Sequence, residues 1–272
     1  MEKKIFLADS CAGGLGVLKF FLKWAGKYDV FYLADGERNP FGLKPKQEIY
    51  KIVESWLKSF NKNKDIVLFC VSCNTASISI EKKVNMLEKK YKIPIVTMID
   101  GARSIIKKKK DKIKDKKILL IGTKFTVASG VYRKLIKKEK PKKLFELNGT
   151  FSERFVAKGL EKNRSAKAKM IKELSKFKNK GVESIYLGCT CYPFIIKEIK
   201  ELYGNKITFI DPAEEVSKLA KKILHDKDKN KLVRKCHFYI TGDAKKWNEN
   251  LNIISKKVFG EAIKARKIHI DR

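Results

Sequence analysis

The sequence predicts an α/β fold in which parallel strands are covered by helices. Apolar runs of strand length alternate along the whole chain with stretches whose apolar residues recur at helical spacing. The run Ile66-Val67-Leu68-Phe69-Cys70-Val71 is apolar throughout, as a strand buried on both faces must be. The plan also runs twice. Lys116-Lys117-Ile118-Leu119-Leu120-Ile121-Gly122-Thr123 repeats the basic start, apolar strand and polar turn of Lys3-Lys4-Ile5-Phe6-Leu7-Ala8-Asp9-Ser10. An internal duplication, or two similar α/β domains facing each other, is the natural inference.

Residues 5–8 form the first strand, then Asp9-Ser10-Cys11-Ala12-Gly13-Gly14 turns into a helix carrying Leu15, Leu18 and Leu22. Residues 30–34 form the second strand, residues 35–42 a long turn, and residues 45–60 a helix. The next strand, residues 65–72, stops at Cys73, where Asn74-Thr75-Ala76-Ser77 opens a helix marked by Ile80, Val84, Leu87 and Tyr91. Residues 95–99 read as a strand that Asp100-Gly101 breaks. In the second half a strand leads through Leu187-Gly188 to Cys189-Thr190, before a helix over residues 193–202. A strand at 207–210 ends at Asp211-Pro212 and a helix covers 213–224. Residues 225–230 read as a surface loop, and the chain closes as strand 236–241, helix 243–258 and strand 262–270.

At 272 residues the chain can bury one large core or two smaller ones, and no apolar run approaches the ~20 residues of a membrane span. The first apolar run is too short for a signal-peptide core, and six cysteines suit a reducing compartment, so a cytoplasmic protein is expected. The net charge of +33 comes overwhelmingly from lysines spread along the whole chain. Specific DNA readout relies heavily on arginine, so nothing beyond non-specific nucleic-acid binding is expected. Such a field steers anionic substrates.

Cys73 and Cys189 end equivalent strands, each with a threonine close behind. The C-terminal ends of strands are where open α/β sheets bind ligands, and the helix dipole there favours thiolate. Paired thiols suit two-base proton exchange at a stereocentre, one group removing a proton and the other delivering one to the opposite face. Thr75 and Thr190 hydroxyls, with helix N-terminal N–H groups, would hold a substrate carboxylate. A zinc site at Cys70, Cys73, Cys189 and Cys191 is the rival reading. Cys70 and Cys73 are three apart in an extended strand, which points them to opposite faces and argues against metal. Gly13-Gly14 with Gly16 fits a tight strand–helix turn, and His225, His237 and His269 lack ligand spacing.

These residues resemble the cofactor-independent glutamate racemases of bacterial cell-wall synthesis, nearly end to end. Asp9-Ser10 with Gly13-Gly14-Leu15 is similar to that family's first motif, and Tyr32-Leu33-Ala34-Asp35 with Pro40-Phe41-Gly42 to its second. Cys73-Asn74-Thr75-Ala76-Ser77 and Leu187-Gly188-Cys189-Thr190, with Tyr192-Pro193, are similar to its two cysteine motifs. Ile121-Gly122-Thr123 with Thr126, Ser129 and Tyr132, and the late Thr241-Gly242-Asp243, extend the likeness.

The resemblance implies two pseudo-symmetric α/β domains with parallel sheets and an active site in the cleft between them. The first would comprise roughly residues 1–97 and 209–272, the second roughly 98–208. Cys73 and Cys189 would be the acid–base pair, with Asp9 beside Cys73. Ser10, Phe41, Gly42, Asn74, Thr75, Thr126, Thr190 and Cys191 would line the substrate site. No cofactor or metal would be needed, the partner would be glutamate, and homodimers are common in the family.

Several positions depart from the pattern. Cys191 stands where a histidine assists the second cysteine, Phe41 replaces a tyrosine, and Cys11-Ala12 replaces a Gly-led pair. An assisting glutamate is expected just ahead of Gly159, where Ala157 and Lys158 stand, and Glu153 is a poor substitute. The alternatives are a racemase for aspartate or another amino acid, or a weakly active homologue that binds protein or nucleic acid.

Overall fold

The computed structural model describes residues 3–61, 65–226 and 235–270. Among these, the strands are β1 (Lys4–Asp9), β2 (Asp29–Ala34), β3 (Ile66–Val71), β4 (Ile95–Thr97), β5 (Lys117–Gly122), β6 (Lys143–Asn148), β7 (Ser184–Gly188), β8 (Thr208–Ile210), β9 (Lys235–Ile240) and β10 (Arg266–Lys267). They form two sheets, ordered β10-β9-β2-β1-β3-β4 and β6-β5-β7-β8, and every pairing is parallel. The order β2-β1-β3-β4 recurs as β6-β5-β7-β8. The repeat read from sequence is thus a repeat of topology, in which β5 answers β1 and β7 answers β3. The fold class expected from the sequence is the one observed.

Alternation along the central strands builds the cores. In β1, Ile5 and Leu7 face one side while Phe6 and Ala8 face the other. In β5, Leu119 and Ile121 join the core of Ile5 and Leu7, whereas Ile118 and Leu120 pack with Tyr132 and Tyr186. One apolar cluster therefore joins the inner faces of both sheets. It carries the β1 and β5 turns together and fixes what their ends can touch.

The structure corrects several sequence expectations. The strand after Pro94 ends at Thr97, and Asp100-Gly101 lies inside the helix Met98–Lys108. Thr97 caps that helix: its hydroxyl accepts from the Asp100 N–H, and the Asp100 carboxylate accepts from the Thr97 N–H at 2.9 Å. Gly101 is a contact point, because a Cβ there would meet Val216 and lie 2.8 Å from the Pro212 carbonyl oxygen. The helix opening at Asn74 is two helices, Asn74–Ile80 and Val84–Tyr91, joined by a 3-10 turn. Strand β6 and the helices Thr150–Ala157 and Arg164–Leu174 fill the stretch that the sequence left without elements. The closing strand shrinks to Arg266 and Lys267, both exposed, with only β9 as neighbour. A division at residues 208/209 cuts through β8, which pairs with β7 in the second sheet. Of the expected loop over 225–230, residues 227–230 lie outside the described residues. No helix among the described residues is long and apolar enough to cross a membrane.

Candidate active site

The turns after β1, β2, β3, β5 and β7 converge on one small, nearly closed cavity. From the first sheet come Asp9, Ser10 and Cys11, then Phe41 and Gly42, then Cys73, Asn74 and Thr75. From the second come Thr123, Glu153, Cys189 and Thr190. Close approach requires glycine at position 42, since a Cβ would come within 2.7 Å of the Thr123 Cβ.

Asp9, the last residue of β1, is almost wholly buried, and both its oxygens are engaged. Oδ1 accepts from the Ser10 N–H at 2.6 Å and the Ser10 hydroxyl at 3.2 Å, while Oδ2 accepts from the Thr190 hydroxyl at 2.8 Å. Burial nonetheless pushes its carboxyl up to about 6, the hydrogen bonds from Thr190, Cys73 and Ser10 holding it back only in part. The Ser10 hydroxyl, which donates to Asp9, also lies 3.6 Å from the Cys73 sulfur. A hydrogen-bond chain runs from the Cys73 sulfur through Ser10 to Asp9.

Cys73 caps the helix Asn74–Ile80, as expected, and burial in the closed cavity works there against the thiolate that the helix dipole favours. Burial, followed by the charge of Asp9, drives its thiol well above the ordinary range, against the lowering effect of the Ala76 N–H. Desolvation outweighs the dipole of a seven-residue helix. Cys189 is half-buried and follows Gly188 at the end of β7. Here the α-helix begins only at Ile196, after the 3-10 turn Tyr192–Ile195, so Cys189 is not at its N-terminus.

Hydroxyls line the wall between the two thiols. Thr75, Thr123 and Thr126 form a triangle with oxygen separations of 3.1 to 3.3 Å. Tyr132 donates to Asn74 Oδ1 at 2.5 Å, which fixes the amide and leaves its buried Nδ2 unpartnered among the described residues. A carboxylate entering the cavity would satisfy that donor.

Not every expected residue lines the cavity. Thr126 stands behind Thr75 and Thr123, because Thr123 caps the helix Lys124–Ser129 through the Thr126 N–H. Cys191 is fully buried, its sulfur 3.6 Å from that of Cys11. Cys70 packs with Ile5 and Leu7 and Cys73 with Phe69 and Val71, in separate cores, so a four-cysteine site including Cys70 does not form. His237 stacks on Phe31 at 4.6 Å, away from the cavity.

The sequence reading left Thr123 and Cys11 out of the site and set Glu153 aside as a poor substitute, yet all three line the cavity. Glu153 lies in the helix Thr150–Ala157, is 5% exposed, and points a carboxylate oxygen with no partner among the described residues into this region. Burial, and then Asp9, push it up to about 7. Spacing to Gly159 points instead to Ala157 and Lys158. The signal present was the glycine turn Asn148-Gly149 after β6, which starts the helix that carries Glu153.

Fold and site together define a doubled α/β protein with one thiol from each half at a shared polar cavity. The profile of the Asp/Glu/hydantoin racemase family matches residues 29–220. A glutamate racemase of Oceanobacillus iheyensis is 31% identical over 271 residues, covering 96% of this chain and 93% of that protein. The crystal structure of glutamate racemase from Campylobacter jejuni superposes with a TM-score of 0.77 at 27% identity, covering 94% and 98% of the two chains. That of Francisella tularensis, in complex with D-glutamate, shares the fold with a TM-score of 0.77 at 22% identity, covering 100% and 98%. The chain belongs to the Asp/Glu/hydantoin racemase family.

Proposed function

We propose that this chain is a glutamate racemase, interconverting L- and D-glutamate by two-base proton transfer at Cα and so supplying D-glutamate for peptidoglycan. One observation carries the reading: Cys73 and Cys189 end the equivalent strands β3 and β7, and both line the cavity that Asp9 closes. Each thiol serves one face of the substrate. When Cys73 is the base, its proton passes through Ser10 to ionised Asp9, and the resulting thiolate removes the Cα proton. Cys189 delivers its own proton to the opposite face, and the reverse reaction exchanges the roles. Glu153, pushed up to about 7 and set beside the turn that carries Cys189, holds a proton for that side at neutral pH. The Asn74 amide, the hydroxyls of Thr75, Thr123 and Thr190, and the Ser10 and Gly42 backbone receive the amino acid. Phe41, stacked on Trp56 at 5.7 Å, forms the apolar wall.

The enzyme acts in the cytoplasm as a homodimer, and its charge of +33 draws in an anionic substrate. Incubating purified protein with L- or D-glutamate in deuterated buffer, without added cofactor, tests this. Deuterium enters Cα during racemisation of both enantiomers. Exchange with aspartate but not glutamate would reassign the substrate, and no exchange with either would remove the activity.

A further inference from the structure

Cys11 and Cys191 are the two places near the cavity where thiols replace the residues of the resembled pattern, and they touch each other. Their sulfurs are 3.6 Å apart, and a Glu153 carboxylate oxygen lies with them in a group whose ligand atoms all fall within 4.8 Å of one another. All three residues are buried. Glu153 is the second observation, because one of its buried carboxylate oxygens has no hydrogen-bond partner among the described residues and is open to a ligand. A tetrahedral zinc ion with Zn–S bonds of about 2.3 Å separates two thiolate sulfurs by about 3.8 Å. The observed spacing therefore needs little adjustment to chelate such an ion, whereas a disulfide would need the sulfurs to close to about 2.05 Å.

We propose that Cys11, Cys191 and Glu153 form a binding site for a single thiophilic divalent cation, zinc being the natural occupant. Each thiol releases its proton to water as it ligates, and the Glu153 carboxylate supplies the third ligand. The ion enters by the substrate cavity, which Cys11 and Glu153 line. It is no cofactor. Bound there, it takes Glu153 and the neighbourhood of Cys189 out of proton transfer, so it inhibits. That consequence rests on the racemase reading, whereas the site itself does not.

The test is titration of the reduced protein with Co²⁺, a spectroscopic stand-in for zinc. One equivalent should give a thiolate-to-cobalt charge-transfer band in the near ultraviolet, bleached by one equivalent of Zn²⁺ and lost in both Cys11→Ala and Cys191→Ala. X-ray absorption at the zinc edge of the unmodified protein needs no variant, and should find at least two sulfurs at about 2.3 Å. No band, a band that persists in both variants, or a first shell of oxygen and nitrogen alone would overturn the site, whether or not the protein racemises glutamate. Given racemisation, Zn²⁺ should lower the rate of the parent and a chelator restore it.

Discussion

Thr190 donates a hydrogen bond to Asp9 Oδ2 at 2.8 Å, joining the turn after β7 of one sheet to the last residue of β1 of the other. It is a buried contact to a carboxylate, so it is worth more than an ordinary hydrogen bond. Thr190→Val keeps the shape and leaves Oδ2 without that donor. The expected cost is ~1.5–3 kcal/mol at pH 8, where Asp9 is ionised. Removing the donor also raises the Asp9 carboxyl further above about 6, so the cost shrinks at pH 5. Urea unfolding at the two pH values reads both effects, and a loss equal at each would deny that the bond favours the ionised form.

Glu153 gives the opposite sense of pH dependence to a salt-bridged acid. Its folded carboxyl, at about 7, lies above its unfolded value, so its stabilising effect is complete below about 4.5 and is lost as pH rises through 7. The shift amounts to roughly 3 kcal/mol at most. Glu153→Gln removes the ionisable group and keeps the shape. The variant should match the parent near pH 4 and be the more stable by ~1–3 kcal/mol at pH 8. Denaturation midpoints across this range check it, and an unchanged parent–variant difference would mean that the carboxyl is not buried in solution.

How much was legible in the sequence follows from which forces are local. Strands β1, β3, β5 and β7 were readable because both faces are buried, and the motif residues at their ends followed. Strand β6 was not, because it is a half-buried edge strand in a lysine-rich stretch, although the repeat with β2 implied it. Glu153 and the Cys11–Cys191 contact are tertiary facts, made by residues 142 and 180 positions apart from Cys11. Asp100-Gly101 failed differently: a short-range rule for breakers met a helix–helix contact.

That contact can be tested directly. Gly101→Ala places a methyl group against Val216 and the Pro212 carbonyl, and backbone cannot yield as a flexible side chain can. The expected loss is ~1–3 kcal/mol, although alanine is the better helix former by ~1 kcal/mol. Thermal unfolding decides it, and a stabilised variant would mean that Gly101 is merely tolerated in the helix.

Removing either thiol should stop racemisation, because each face of the substrate needs its own proton carrier. Cys73→Ala and Cys189→Ala should each lower kcat at least ~10²–10⁴-fold, the range for general acid–base groups, with circular dichroism unchanged. Both truncations are small, and neither cysteine bridges to another. Substantial activity in either variant would take that cysteine out of the mechanism.

The two departures from the family pattern at positions 11 and 191 meet in the structure. The Cys191 thiol is held well above the ordinary range by the Cys11 and Cys189 thiols beside it and by burial, so it neither carries charge nor passes protons readily at neutral pH. An imidazole, titrating near ~6.5, would do both. Cys191→His alone should fail, because residue 191 is fully enclosed and Cys11 occupies the space that the ring requires. Overpacking there should cost ~1–3 kcal/mol. Adding Cys11→Gly vacates that space, so the pair should show favourable coupling of more than ~0.5 kcal/mol in a double-mutant cycle. Since enantiomers have equal free energy, kcat/KM must change equally for L- and D-glutamate, and the gain cannot appear as directional bias. It should appear as an ascending limb of the pH–rate profile moved toward neutrality in the double variant, with the Cα-deuterium isotope effects for the two enantiomers drawn closer together. Strict additivity of the two substitutions would mean that Cys11 does not limit what position 191 can hold. An unmoved profile in a well-folded double variant would make residue 191 a packing residue with no part in activating Cys189.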